Sequence, residues 1–142
     1  VLGKVYCYRD HRLDKMCDEV KARMDAAKVY AITGNHFQPF NQSNQMLWYA
    51  TRRPELLKLA KVYLPIPALF YYYLGGCTAV DSTFASVTQM MDAQKRKWSK
   101  EVLAALGIPE SLMPEIVPPG TKIGKLQARL RPLIHGARFI GS

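Results

Sequence analysis

The chain has 142 residues, 49% of them apolar and 22% charged, which suits one globular domain or part of one and excludes a disordered, collagen-like or disulfide-scaffold chain. No apolar run approaches the 18 residues of a membrane span, since the longest, Ile66 to Leu74, contains Pro67. The formal charge is +9, but Thr121 to Ser142 carry five basic residues and no acidic one, leaving a net +4 for the first 120. That distribution argues against a folded basic face and for a basic tail.

Three cysteines (Cys7, Cys17 and Cys77) cannot pair completely within one chain, and no Cys-x-x-Cys spacing occurs. Reduced thiols in a cytoplasmic protein are the expectation, with no metal site, because His11, His36 and His135 are scattered singly. The opening residues have no initiator Met and no basic leader, and do not read as a signal peptide.

Val1 to Tyr8 alternates loosely and reads as a short strand. Asp10 can then cap a helix whose inner stripe is Leu13, Met16, Cys17, Val20 and Met24. Gly34 and Pro39 bound a loop of alternating polar and aromatic side chains, after which Asn41 or Ser43 can start the next helix. Pro54 opens another, where a proline loses only an amide hydrogen that the first turn leaves unused. A short apolar helix from Ala68 to Leu74 ends at Gly75-Gly76, and Asp81 or Ser82 caps a segment with Phe84, Val87, Met90 and Met91 on one side. Lys95-Arg96-Lys97 reads as a solvated turn. Lys100 to Leu106 is a clear helix closed by Gly107, and prolines from Pro109 to Pro119 enforce turns and extended chain. The expectation is one strand and five or six helices. A lone strand needs a partner or presents a raw sheet edge open to self-association, so the chain reads as a helix-rich piece of an α/β domain.

The nucleophile elbow, the phosphate loop, the His-Glu-x-x-His zinc motif and the dinucleotide fingerprint are all absent from the sequence. Two clusters look like halves of a polar ligand pocket. Tyr8-Arg9-Asp10-His11-Arg12 sits at the end of the strand, where ligands gather in open α/β sheets. Phe37-Gln38-Pro39-Phe40-Asn41 is followed by Gln45 one helical turn on. A sugar suits such a mixture, with amides and charges on its hydroxyls and aromatic faces against its C–H surfaces. The same residues have plainer uses: Phe37 and Phe40 as core, Asn41 as a cap, and Arg9, Asp10 and Arg12 as an ion-paired corner.

In order and spacing these pieces resemble a known family. Tyr8-Arg9-Asp10-x-Arg12, Thr33-Gly34-x-x-Phe37-x-Pro39-Phe40-Asn41-x-x-x-Gln45, Leu64-Pro65-Ile66-Pro67, Tyr72-Tyr73-Leu74-Gly75-Gly76 and Asp81-Ser82-Thr83-Phe84-Ala85-Ser86 are similar to the sugar kinases named for a Phe-Gly-Gly-Tyr signature. So are Leu106-Gly107-Ile108-Pro109 and the run from Pro114 to Thr121. Phe84 stands where such kinases usually carry a small polar residue, and Gln42 to Asn44 replace a Thr-Leu-Tyr often found there.

The resemblance implies an actin-like (ribonuclease H-like) fold, of which residues 1–126 are part of the N-terminal domain and residues 127–142 a basic tail. It implies a small ketose or polyol as substrate and ATP with magnesium as cofactors of the whole enzyme, neither expected to bind this chain alone. Tyr8, Asp10, Phe40, Asn41 and Gln45 are the substrate-binding residues it implies, with no catalytic residue among them. The family's phosphate loop is expected before Val1, and its catalytic Asp, in a Gly-x-His-Asp-type motif, beyond Gly124, where this chain has only His135-Gly136. The chain by itself is therefore expected to be without kinase activity. The alternative is a free-standing helical module that binds an acidic partner or nucleic acid through its basic end, with Leu126, Leu130, Leu133 and Ile134 on one helix face.

Overall fold

The computed structural model describes residues 1–8, 10–133 and 138–140. Val1 to Tyr8 is irregular chain, bent at Gly3 (φ 86°), and not a strand, and it pairs with no strand among the described residues. Its alternation is real, but a ladder needs a neighbouring edge. Val1, Val5, Tyr6 and Tyr8 are instead exposed, and the segment ends in a turn closed by Asp10 N–H on the Cys7 carbonyl (3.1 Å).

Asp10 caps only a 3-10 turn, His11–Leu13, its Oδ1 accepting from the Arg12 N–H at 3.0 Å. Lys15 at φ 67° separates this turn from α1 (Met16–Arg23). The stripe read from the sequence is largely inward, with Leu13, Met16, Val20 and Met24 buried and Cys17 half-buried. At Met24 the backbone extends, and a second helix follows: α2 (Ala26–Thr33), capped by Asp25 through the Lys28 N–H (3.0 Å). It ends at Gly34, whose φ of 69° a side chain would strain.

Helices α3 (Gln42–Arg52) and α4 (Pro54–Leu59) follow the loop, then α5 (Ile66–Gly75) closes on Gly76 in the left-handed region. A two-residue strand β1 (Val80–Asp81) leads into α6 (Ser82–Ser86). This helix is shorter than the apolar spacing to Met91 suggests, because Gln89 turns the chain at φ 62° and Met91 enters a hairpin. The hairpin pairs β2 (Met91–Asp92) with β3 (Lys97–Trp98), and Lys95 and Arg96 occupy its turn. Helix α7 (Lys100–Leu106) has Ser99 as its cap and Gly107 as its stop.

A 3-10 turn at Glu110–Leu112 precedes β4 (Ile116–Val117), which pairs parallel with β1. Last come β5 (Lys122–Lys125), a 3-10 segment (Ala128–Leu133) containing Pro132, and β6 (Arg138–Ile140) antiparallel to β5. The strands missed in the sequence are two to four residues long, too short to show a period.

Two apolar clusters hold these elements. Met16, Val20, Val29, Leu47, Met90, Leu103 and Leu106 fill the larger, between α1, α3 and α7; Ala68, Val80, Ala85 and Met91 form the smaller beneath α5 and β1. Trp98 packs against both, and its indole N–H donates to the Pro114 carbonyl at 2.6 Å. Phe84 packs its ring against the smaller cluster. No helix among the described residues is long and apolar enough to cross a membrane.

Candidate functional site

Chain direction around Tyr8 and the geometry of the 35–41 loop decide what meets what. The loop is anchored from below by a buried polar knot. The Ser43 N–H donates to the Thr88 carbonyl (3.1 Å), and the Ser43 hydroxyl donates to Gln89 Oε1 (2.6 Å). Gln89 Nε2 reaches back to the Asn35 and His36 carbonyls at 3.4 and 3.5 Å. Gln89 is fully buried, so these partners offset the cost of withdrawing its amide from water.

The same loop, through Gln38, Pro39 and Phe40, lines a cleft of about 690 Å³ together with Tyr8, Asp10, Asp14, Lys15, Cys17 and Asp18. Three of the five residues expected to bind substrate therefore share one concavity. The Tyr8 and Phe40 rings meet edge to face, centroids 6.0 Å apart at 90°, and each is about half exposed (47% and 50%). Two aromatic side chains with this much open surface beside a carboxylate offer C–H-binding faces and a hydroxyl acceptor together.

Asn41 and Gln45 do not line the cleft. Asn41 is 6% exposed, and its Oδ1 accepts from the Gln38 N–H at 2.5 Å, so its side chain closes the loop and does not cap α3. Gln45 Nε2 donates to the Phe40 carbonyl at 3.3 Å. Both support the Phe40 loop from the helix side. Phe37 packs against the larger cluster, with the Lys21 ammonium 5.3 Å from its ring centroid.

One contributor escaped the sequence reading. Asn44 is fully buried, and its Nδ2 donates to the Gln38 and Pro39 carbonyls (2.9 and 3.1 Å) and approaches Cys17 Sγ at 3.2 Å. The sequence does not set it apart, because α3 also carries Gln42, Ser43, Gln45, Thr51 and Arg52. Arg12, which the sequence offered as part of an ion-paired corner, donates its Nε–H to Asp10 Oδ1 at 2.8 Å, and its guanidinium lies over the Tyr6 and Trp48 rings. The ion-paired corner is thus present for Asp10 and Arg12, while Arg9 lies outside the described residues. The Arg12 backbone N–H, and then its guanidinium, hold the Asp10 carboxyl below its ordinary 3.8. Asp10 is an anion at neutral pH and accepts hydrogen bonds only.

Among the described residues no three His, Cys, Asp or Glu converge as a metal donor set. At the basic end, Leu126 is buried and the Gln127 N–H donates to the Leu74 carbonyl (2.8 Å), so the chain after β5 folds back onto α5. The expected amphipathic helix is a six-residue 3-10 segment there, and Ile134 and His135-Gly136 lie outside the described residues.

Residues 1–135 match the FGGY family of carbohydrate kinases, N-terminal domain, and the chain is a member of this family. Within it the likeness runs to rhamnulokinases. The chain is 36% identical over 121 residues to rhamnulokinase of Halalkalibacterium halodurans, covering 85% of this chain and 26% of that protein. It is 32% identical over 127 residues to L-fuculokinase of Escherichia coli K12, covering 89% and 27%. The chain thus spans about a quarter of the length of these curated relatives.

In fold it is similar to ligand-bound xylulose kinase from Lactobacillus acidophilus (TM-score 0.88, 21% identity, 99% of this chain and 30% of that one). It is likewise similar to Plasmodium falciparum glycerol kinase with ADP (TM-score 0.87, 21% identity, 99% and 29%). The fold is that of a sugar-kinase N-terminal domain, helix-rich with few strands, as the sequence led one to expect.

Proposed function

We propose that these residues form the sugar-side wall of an ATP-dependent kinase acting on L-rhamnulose or a closely related ketose or polyol, and that residues 1–126 carry this role while 127–142 are a basic extension. The single observation that supports it is the cleft in which Tyr8, Asp10 and Phe40 meet. In this reading Asp10 accepts from sugar hydroxyls, and the open faces of Tyr8 and Phe40 pack on the sugar's C–H surface. Asn41 and Gln45 act on the sugar only through the Phe40 loop they hold.

ATP and magnesium are the co-reactants of the whole kinase. In this reading other parts of the enzyme hold them, and no step through them is assigned to this segment. What this wall contributes is orientation of the attacking hydroxyl, which phosphoryl transfer depends on.

The test is a titration of the isotopically labelled chain with L-rhamnulose, L-fuculose and glycerol, followed by NMR, beside a coupled assay for ADP. Shifts at Tyr8, Asp10 and Phe40 with L-rhamnulose, weaker ones with the others, and no ketose-dependent ADP are expected. Shifts confined to residues away from the cleft would sink the sugar-wall reading. Ketose-dependent ADP release by these 142 residues would sink the assignment of phosphoryl transfer to other parts.

A further inference from the structure

We propose that Arg12 is a positioning residue: wedged between the Tyr6 and Trp48 rings, its guanidinium hangs the Tyr8–Asp10 wall of the cleft on helix α3. Its Cζ lies 3.2 Å from the Tyr6 ring centroid and 4.6 Å from that of Trp48, and its Nε–H donates to Asp10 Oδ1 at 2.8 Å. Three contacts thus radiate from one half-buried planar cation to three parts of the chain.

The need for such a device follows from the fold. Val1 to Tyr8 has no ladder among the described residues to fix its position, yet Tyr8 must stand 6.0 Å from Phe40. The opposite wall is already referenced to α3, through Gln45 on the Phe40 carbonyl and Asn44 on those of Gln38 and Pro39. Trp48 lies on the same helix, one turn from Asn44 and Gln45. The guanidinium therefore brings the Tyr8–Asp10 wall to the helix that carries the other one. Lysine cannot replace it. A guanidinium donates in its plane and leaves both faces free for rings, whereas an ammonium is a compact point charge.

The effect on sugar affinity rests on the proposed function above; the positioning does not. The experiment uses the labelled full chain with Arg12→Lys and Arg12→Ala. It reads the Tyr8–Phe40 ring-to-ring NOE, the Trp48 indole N–H shift, the Asp10 carboxyl titration and the thermal melt. Either substitution is expected to abolish the NOE, move the Trp48 signal and return Asp10 toward 3.8, with the cooperative melt retained. Methylguanidinium added to Arg12→Ala is expected to restore all three. With L-rhamnulose, Arg12→Lys binds about tenfold more weakly, the equivalent of one lost stacking contact.

An intact NOE with an unmoved Asp10 titration in Arg12→Lys overturns the proposal, as does failure of methylguanidinium to restore either signal. If the wild-type chain ignores L-rhamnulose while the signals respond as expected, the ketose reading fails and the positioning role stands. Equal binding by wild type and Arg12→Lys overturns the role in the site and leaves the ketose reading.

Discussion

Asp10 accepts two hydrogen bonds from the same neighbour, one from the Arg12 backbone and one from its side chain. Both favour the carboxylate, so its pKa in the fold lies below the ordinary 3.8. The linkage sign follows: the bonds stabilise the fold above the unfolded pKa, and that stability is lost as pH falls through the lowered folded value. Asp10→Asn is therefore expected to flatten the stability curve below about pH 4, within the carboxylate range. Urea midpoints of the two chains converging between pH 4 and pH 2 would show it, and a gap constant with pH would refute it. Asp10 was legible in the sequence because a short acid before a helix start, among aromatics and arginines, has few other uses. Asn44 was not. Its role consists of three hydrogen-bond partners that lie five, six and 27 positions away, and it becomes visible only once α1 and the loop close on α3.

At the scale of elements, local chemistry was read well where a cap or stop acts within one turn. Pro54, Gly76 and Gly107 all stand at the boundaries their residue types favour. It was read poorly where tertiary contacts decide. The break between α1 and α2 is set by an extended Met24 that buries its side chain, and the β1–β4 pairing joins residues 36 apart in sequence. Asp81 shows how a cap couples to that pairing. It is 3% exposed, ends β1 opposite Val117, and its Oδ1 accepts from the Thr83 and Phe84 N–H groups at 3.0 Å each and from the Thr83 hydroxyl. In a five-residue helix these bonds satisfy half of the first-turn donors. Asp81→Ala should cost about 1–2 kcal/mol, at the upper end for a cap because the orphaned amides lie beside a buried strand. A chemical-denaturation loss under about 0.5 kcal/mol would show that water replaces the cap. Asp81→Asn should recover most of the loss, since an amide oxygen caps nearly as well.

For the molecule as a whole, the question is whether two apolar clusters unfold as one. The larger is closed by α1, α3 and α7 and carries the cleft; the smaller lies under α5 and β1. Trp98 is the side chain common to both, and its indole also ties β3 to the Pro114 carbonyl ahead of β4. Met90 and Met91 add a covalent link, since adjacent residues face opposite clusters. A shared aromatic makes each cluster's burial depend on the other, which is the condition for a single cooperative transition.

Trp98→Phe keeps most of the ring contacts and removes the donor, leaving the Pro114 carbonyl short of a partner, at a cost of about 1–3 kcal/mol. Trp98→Ala removes the shared surface as well, with a loss of about 3–5 kcal/mol. The two should differ in kind. In Trp98→Phe, amide-exchange protection of the two clusters is expected to fall together. In Trp98→Ala, the smaller cluster has four buried members among the described residues against twelve in the larger, so Val80 and Ala85 are expected to exchange before Val20 and Leu103. The Tyr8–Phe40 wall stands on the larger cluster and should survive that first opening. Loss of protection in step at all four amides in Trp98→Ala would mean that the Met90–Met91 link, and not the indole, carries the coupling.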